Sequence, residues 1–314
     1  MIELRRTAFD PAMVDILQSR SKALVELIFY GNYFYGLCAV GLILESVLRL
    51  QLMLDGPLIY VMAFLATVLF YNYPYLVDPS VRSENPRVMW FSRNHKLVLL
   101  TQIGFALGLV ACAVLWGIRY LFTIAFPDLT MCLLLALFPL VAGMYYGSHP
   151  LNLRQMGQLK PFLIGFVWAG MVNVYPLLYS DLIHSQPFEF SLIRVILFVK
   201  TFLYISMLAI MFDIKDYAQD QQAQLKTWVV KIGVRQSLRY VIVPLTVFGL
   251  CVFLAYAHYS HLSALKMSLI MIPFVLLMAA TKLFSKNRSL LFYLSVIDGL
   301  LLVKAFFGIL AVFV

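Results

Sequence analysis

The chain has 314 residues, 62 % of them hydrophobic and only 12 % charged, with a formal net charge of +9. That balance excludes an ordinary soluble domain, and the placement of the positive charge, described below, excludes a nucleic-acid-binding protein. Apolar runs of about twenty residues recur, the length that crosses roughly 30 Å of hydrocarbon as a helix, whereas strand alternation does not. The expected class is therefore all-α: a polytopic membrane bundle of about nine helices around a central cavity.

The chain reads as one domain over 1–314. Residues 1–22 carry Arg5, Arg6, Arg20 and Lys22 and no cleavable signal pattern. Within them Asp10 can cap a helix whose first position is Pro11. Met13, Ile16 and Leu17 fall on one side of that helix, which predicts an amphipathic interfacial segment. Spans are then expected at 23–46, 56–72, 97–117, 121–146, 160–180, 191–212, 237–258, 264–281 and 290–313. Cys38, Cys112, Cys132 and Cys251 all lie in these spans, at no metal or disulfide spacing.

Eighteen of the 24 lysines and arginines lie in the N-terminal segment and the loops after spans two, four, six and eight; four lie in the alternate loops and two inside spans. The positive-inside rule puts the N-terminus and the basic loops in the cytoplasm and, with nine spans, Val314 outside. The polar loops of 72–96, 147–160 and 213–239 then share one membrane face. The expected setting is an integral protein of a bacterial inner membrane.

The most informative stretch is "MFDIKDYAQDQQAQLKTW", Met211 to Trp228, at the end of the sixth span. If 213–227 is one helix, Asp216 lies about 60° and Asp220 about 20° from Asp213 on the helical wheel, with Gln224 and Thr227 on the same stripe. Three carboxylates on one face beside low dielectric repel, so a cation must sit among them or their protons must stay on. Magnesium fits, because it takes oxygen ligands and bridges carboxylates to substrate phosphates. Lys215, Lys226, Lys231 and Arg235 are at hand for phosphate. The alternative reading is a solvated loop of mixed charge.

The run "DIKDYAQDQQAQLKTWVVKIG" resembles the second aspartate motif of the UbiA superfamily of intramembrane prenyltransferases. "YYGSHPLNLRQMGQLKPFLIGFVWA" (145–169) is similar to that family's loop after span four, and "IDGLLL" (297–302) to a last-span segment of some bacterial members. The resemblance implies a prenyl diphosphate bound through Mg2+ between two aspartate motifs, its tail in an apolar cavity. The prenyl group would pass to an acceptor, left open between aromatic and lipid molecules. Carried onto this sequence, Asp213, Asp216 and Asp220 are the expected metal ligands. The first motif is altered: Asn72 matches, but Tyr73, Leu76 and Ser80 stand at the aspartate positions. Asp78 lies off the spacing, about 240° from Asn72, and Pro74 and Pro79 argue against a regular helix there. Asn72 and Asp78 are the expected partial replacements, with Glu84 a weaker one. Arg82, Arg87, Arg154, Lys215, Lys226 and Tyr146 are the expected diphosphate contacts.

Asn32, Asn173 and Asp298 are the expected cavity-lining polar residues, with Glu26 a lesser candidate. Lys200 and Lys304 are expected to be paired or to snorkel, and Lys160 to be a positive-inside anchor. Two other readings stay open: a non-catalytic, prenyl-lipid-binding member, and a secondary transporter. The second is disfavoured because the polar residues cluster at one mouth rather than at the midplane. No feature sets an oligomeric state.

Overall fold

A computed structural model of the chain describes residues 11–54, 56–77, 85–120, 127–146, 153–222, 224–281 and 289–314. Among the described residues every long element is a helix. Seven helices are long and apolar enough to cross a membrane, and two shorter apolar ones accompany them. In chain order these and their connectors are α1 (Pro11–Tyr30), α2 (Tyr33–Leu50), α3 (Leu58–Val77), α4 (Pro86–Arg93), α5 (His95–Tyr120) and α6 (Leu129–Tyr145). There follow α7 (Lys160–Ile183), α8 (Leu192–Lys215), α9 (Tyr217–Gln222), α10 (Trp228–Ile232), α11 (Val234–Tyr259), α12 (Ala264–Ala280) and α13 (Leu290–Phe313). The two shorter apolar helices are α6 and α12, at the expected spans 121–146 and 264–281; residues 121–126 lie outside the described residues.

The expected first span, 23–46, is not one helix. The chain breaks at Gly31–Asn32, where Asn32 takes a left-handed backbone (φ 62°). Its side-chain amide donates to Asn72 Oδ1 at 2.7 Å and to the Tyr71 carbonyl at 3.2 Å, while the Asn72 amide donates to the Gly31 carbonyl at 3.1 Å. Asparagine tolerates this conformation and its amide satisfies backbone groups that the break frees. Contrary to expectation, α3 runs on through Pro74 to Val77.

Helix α8 is the axis of the bundle. Tyr204, Met207, Ile210 and Met211 on it are fully buried, packed with Leu42 and Ile43 of α2, Ile242 of α11, Leu277 of α12 and Ile297 of α13. Close approach needs missing side chains. A Cβ on Gly165 of α7 would strike Ser206 Oγ and come within 2.8 Å of the Phe202 carbonyl of α8. Helix α5, by contrast, turns Leu100, Leu107, Val110, Leu115 and Ile118 outward. An exposed apolar face of that extent belongs against lipid, and the protein is an integral membrane protein.

Three helices carry a π turn: α7 at Gly170–Val174, α11 at Leu238–Ile242 and α13 at Leu294–Asp298. The first two precede Pro176 and Pro244 by two residues. A proline ring inside a helix clashes with the carbonyl four residues back, and the wider turn relieves that clash. The third has no such proline after it.

A buried ionic cluster lies far along the bundle from the aspartate motif. Glu45 of α2 pairs with Lys304 of α13 at 2.8 Å and with Arg49 at 3.6 Å. Arg49 also donates to Tyr256 Oη and to the Gly308 carbonyl, both at 2.9 Å, and Lys200 Nζ lies 5.0 Å from the Tyr256 ring centroid. Lys304 is thus paired, as expected of a charge inside a span.

Candidate active site

The last turn of α8 delivers Asp213, buried to 1 % exposure. The helix stops at Lys215. Asp216 caps it, its N–H bonded to the Phe212 carbonyl, and α9 then carries Asp220. The expected single helix over 213–227 is instead broken at Asp216, and its second piece ends at Gln222. Gln224 takes a left-handed backbone (φ 54°), and Thr227, fully buried, caps α10 by accepting from the Val230 N–H at 3.3 Å. Gln224 and Thr227 accordingly leave the aspartate stripe.

The positive charge that three crowded carboxylates require is Lys160, the first residue of α7. Its Nζ lies 2.6 Å from Asp213 Oδ1 and 3.8 Å from Asp220 Oδ2. It is no exposed anchor, correcting the reading made from its place at the start of a span. Lys215 pairs with Asp216 at 2.8 Å. Burial pushes the Asp220 carboxyl above the ordinary aspartate range, with Lys160 pulling the other way. The loop before α7 is clamped to the loop after α9. The Trp228 indole donates to the Gln158 carbonyl at 3.0 Å, and Gly157 lies flat on the Lys226–Thr227 peptide.

Below this mouth is a cavity of about 440 Å³. Arg87, Arg154, Lys160 and Lys215 line it with Asp213, Asp216, His95, Tyr145 and Tyr146 at the charged end. Asn85 caps α4 through its side chain, accepting from the Arg87 N–H at 2.9 Å, which fixes where Arg87 starts. The guanidinium donates to the Phe29 carbonyl at 2.9 Å and to Tyr75 Oη at 3.5 Å. Arg154 lies 6.0 Å over the Tyr146 ring, and burial pushes the Tyr146 hydroxyl pKa upward. The deeper wall is aromatic and aliphatic. Tyr35 and Tyr71 stack at 4.4 Å, the Trp168 indole donates to Tyr71 Oη at 2.7 Å, and Ile164, Ile205, Leu208 and Leu301 complete it. Asp298 lines the same cavity.

Several expected residues fall elsewhere. Asn72 is buried and both ends of its amide are taken up at the α1–α2 break, so it is a brace and not a ligand facing the cavity. Asn32 is its partner. Asn173, on the π turn of α7, accepts from Ser46 Oγ at 3.4 Å and donates to the Ala169 carbonyl at 3.2 Å, away from the cavity. Lys226 is exposed and outside the lining. Glu26 lines a separate groove between α1 and α4. Asp78, Arg82 and Glu84 lie outside the described residues. The sequence reading missed Tyr35, Tyr71, Trp168 and Tyr75. The signal available for the first two was slight: Tyr35 follows Asn32 by one helical turn and Tyr71 adjoins Asn72.

Among the described residues no three His, Cys, Asp or Glu side chains are gathered as a ready metal cage. Two hard donors nevertheless lack a hydrogen bond: Asp213 Oδ2 is buried without one, and Asp220 Oδ2 has only the Lys160 ammonium at 3.8 Å. That suits Mg2+, which keeps several waters and takes one or two carboxylates plus substrate phosphates.

The bundle thus defines a class: an integral membrane protein with a charged mouth over an aromatic, apolar cavity. No protein-family profile matches the chain, and no curated protein does. Solved structures do match in fold. A digeranylgeranylglyceryl phosphate synthase structure is 15 % identical, with 93 % of this chain and 97 % of that one covered and a TM-score of 0.52. A UbiA homologue from Archaeoglobus fulgidus bound to DMAPP and Mg2+ is 13 % identical, with 90 % and 99 % covered and a TM-score of 0.54. The fold is that of the UbiA homologues.

Proposed function

We propose that the chain is a Mg2+-dependent intramembrane prenyltransferase of the UbiA superfamily. It moves a polyprenyl group from a prenyl diphosphate to an aromatic or lipid acceptor at the cytoplasmic mouth of a bacterial inner-membrane protein. The observation that carries this reading is one cavity with two chemistries. Carboxylates and four cations stand at its entrance, and aromatic and aliphatic side chains at its depth. An amphipathic anion with a long apolar tail needs both. The A. fulgidus homologue of this fold was solved with DMAPP and Mg2+.

In this mechanism Asp213, Asp216 and Asp220 would hold Mg2+, which would supply charge neutralisation for diphosphate departure. Arg154 and Lys215 bind diphosphate oxygens, and Arg87 stands ready at the far wall. Lys160, which lines the same charged end, adds its ammonium to the positive charge facing the leaving group. These donors are fixed before reaction and act where negative charge grows. Tyr35, Tyr71 and Trp168 keep water from the allylic carbon and turn π faces toward its positive charge.

The test is release of diphosphate from geranylgeranyl diphosphate by purified protein in Mg2+. It is expected to stop with EDTA and with Asp213→Ala. Absence of turnover with every prenyl donor, in protein that melts normally, refutes it. A second reading, a non-catalytic holder of prenyl lipid, is favoured by Asn72 being withdrawn from the cavity. Its mark is Mg2+-dependent binding of the donor without diphosphate release.

A further inference from the structure

A groove of about 590 Å³ lies between α1 and α4, apart from the catalytic cavity. Leu24, Leu27, Met89 and Leu97 make it apolar, and Leu24 and Leu97 are more than half exposed. Its two walls are braced against each other. Tyr30 of α1 and Trp90 of α4 meet edge to face, with ring centroids 6.3 Å apart. Beside them the Arg87 guanidinium of α4 donates to the Phe29 carbonyl of α1 at 2.9 Å, and Phe91 of α4 stacks on Tyr75 of α3 at 4.3 Å. The groove is therefore shaped before anything enters it, which lowers the cost of binding. Because Arg87 also lines the charged end of the cavity, the groove lies at the level of the mouth. Trp and Tyr gather where a membrane protein meets lipid headgroups. Two opposite charges line the groove, Glu26 from α1 and Arg93 from α4. Among the described residues neither side chain has a hydrogen-bond or ion-pair partner, so the two are not spent on each other.

We propose that this groove seats one phospholipid with a phosphoethanolamine headgroup. The lipid phosphate accepts from the Arg93 guanidinium, and the lipid ammonium donates to the Glu26 carboxylate beside the Tyr30 and Trp90 rings. The first methylenes of its acyl chains lie on Leu24, Leu27, Met89 and Leu97. Charge selects this lipid among the common ones. A phosphoglycerol headgroup is a net anion and offers Glu26 no cation. A phosphocholine headgroup carries both charges, but its quaternary nitrogen has no N–H to give to Glu26. A lipid that touches both walls ties α1 to α4 and so steadies the Arg87–Phe29 contact behind them. The proposal stands independently of the prenyltransferase reading.

The experiment titrates delipidated, full-length protein in detergent with dioleoyl phosphatidylethanolamine, phosphatidylcholine and phosphatidylglycerol in parallel. Thermal melting reads the stabilisation, and native mass spectrometry counts the lipid retained. Wild type is expected to keep one ethanolamine lipid per chain. Its half-maximal stabilisation should come at a concentration at least about tenfold below that of either other lipid, the worth of one hydrogen bond between charged groups. Arg93→Gln is expected to weaken the ethanolamine lipid by about tenfold. Glu26→Lys places two cations in the groove and is expected to reverse the order, with phosphatidylglycerol binding tightest. Arg93 is exposed and Glu26 half-buried, so both variants should fold. If Glu26→Lys does not, Glu26→Gln keeps the shape of the side chain and is expected to erase the preference for ethanolamine over choline. Equal stabilisation by the three lipids overturns the proposal, as does phosphatidylglycerol or phosphatidylcholine matching the ethanolamine lipid in wild type. An order unchanged in the Glu26 variant overturns it too. So does a second copy in the groove, seen as a dimer that retains no lipid and comes apart in Arg93→Gln.

Discussion

Lys160→Met removes the ammonium from the aspartate motif while keeping the reach of the side chain. In the wild type Nζ is 2.6 Å from Asp213 Oδ1, and Asp213 is 1 % exposed. Deleting one partner of a buried ion pair costs about 3–5 kcal/mol, since the other charge stays behind. The cost has a ceiling, because Asp213 can take a proton instead. From an ordinary aspartate value of about 3.9, protonation at pH 7.5 costs about 5 kcal/mol at 1.36 kcal/mol per pH unit. The two bounds agree, and at about 2 °C per kcal/mol the melting temperature should fall by about 6–10 °C. The assay is thermal unfolding in detergent at pH 7.5, with EDTA and then with Mg2+. A cation that binds the folded acid pair replaces the lost charge, so Mg2+ should stabilise the variant more than the wild type. The double variant Lys160→Met with Asp213→Asn, which buries no charge, should recover most of the loss. A variant that melts within about 1 °C of wild type in EDTA, or an equal Mg2+ effect on both proteins, refutes the reasoning.

Gly157→Ala drives a methyl into the Lys226–Thr227 peptide, within 2.6 Å of both the Lys226 carbonyl oxygen and the Thr227 nitrogen. Overpacking against backbone costs about 1–3 kcal/mol. It should weaken Mg2+ stabilisation several-fold at unchanged helix content, read by circular dichroism and melting. Glu45→Leu strands Lys304 and Arg49 in the bundle and should cost about 3–5 kcal/mol; adding Lys304→Met should return much of it, measured by melting in detergent. Asn72→Leu unties the α1–α2 break and should cost about 1–3 kcal/mol for each buried amide group left unpaired. It should also leave Mg2+ stabilisation intact, whereas a metal ligand at this position would lose it. Because burial raises the Asp220 value, the folded state holds that proton to higher pH than the unfolded chain does. Asp220 therefore favours folding most below pH of about 4, and the benefit fades as pH rises through its raised value. In EDTA, Asp220→Asn should flatten that part of the stability curve.

Much of this could be read from residues near one another in the chain. Apolar runs placed α5, α8 and α11 to within a few residues, and the cluster of aspartates after α8 marked the mouth. The break at Gly31–Asn32 could not be read so, because it depends on Asn72, 40 residues away. Nor could the role of Lys160, whose partner Asp213 is 53 residues further on. Local spacing also overextended the aspartate helix: Gln224 turns left-handed and the next helix restarts at Thr227, held there by Trp228 on the Gln158 carbonyl. Asn72 and Asn173 carried the right chemistry for a cavity, yet each spends its amide on the bundle's own backbone and side chains.

By itself the sequence determined that this is a polytopic helical membrane protein, with its acidic motif at one end of a long span. Those properties follow from composition and from 3.6-residue periodicity, which are local. Only the tertiary structure decided which charges meet. Lys160 neutralises Asp213, and Glu45 neutralises Lys304. The physical reason is that burial makes each charge seek a partner within a few ångströms, and helix packing, rather than order along the chain, sets which partner is that near.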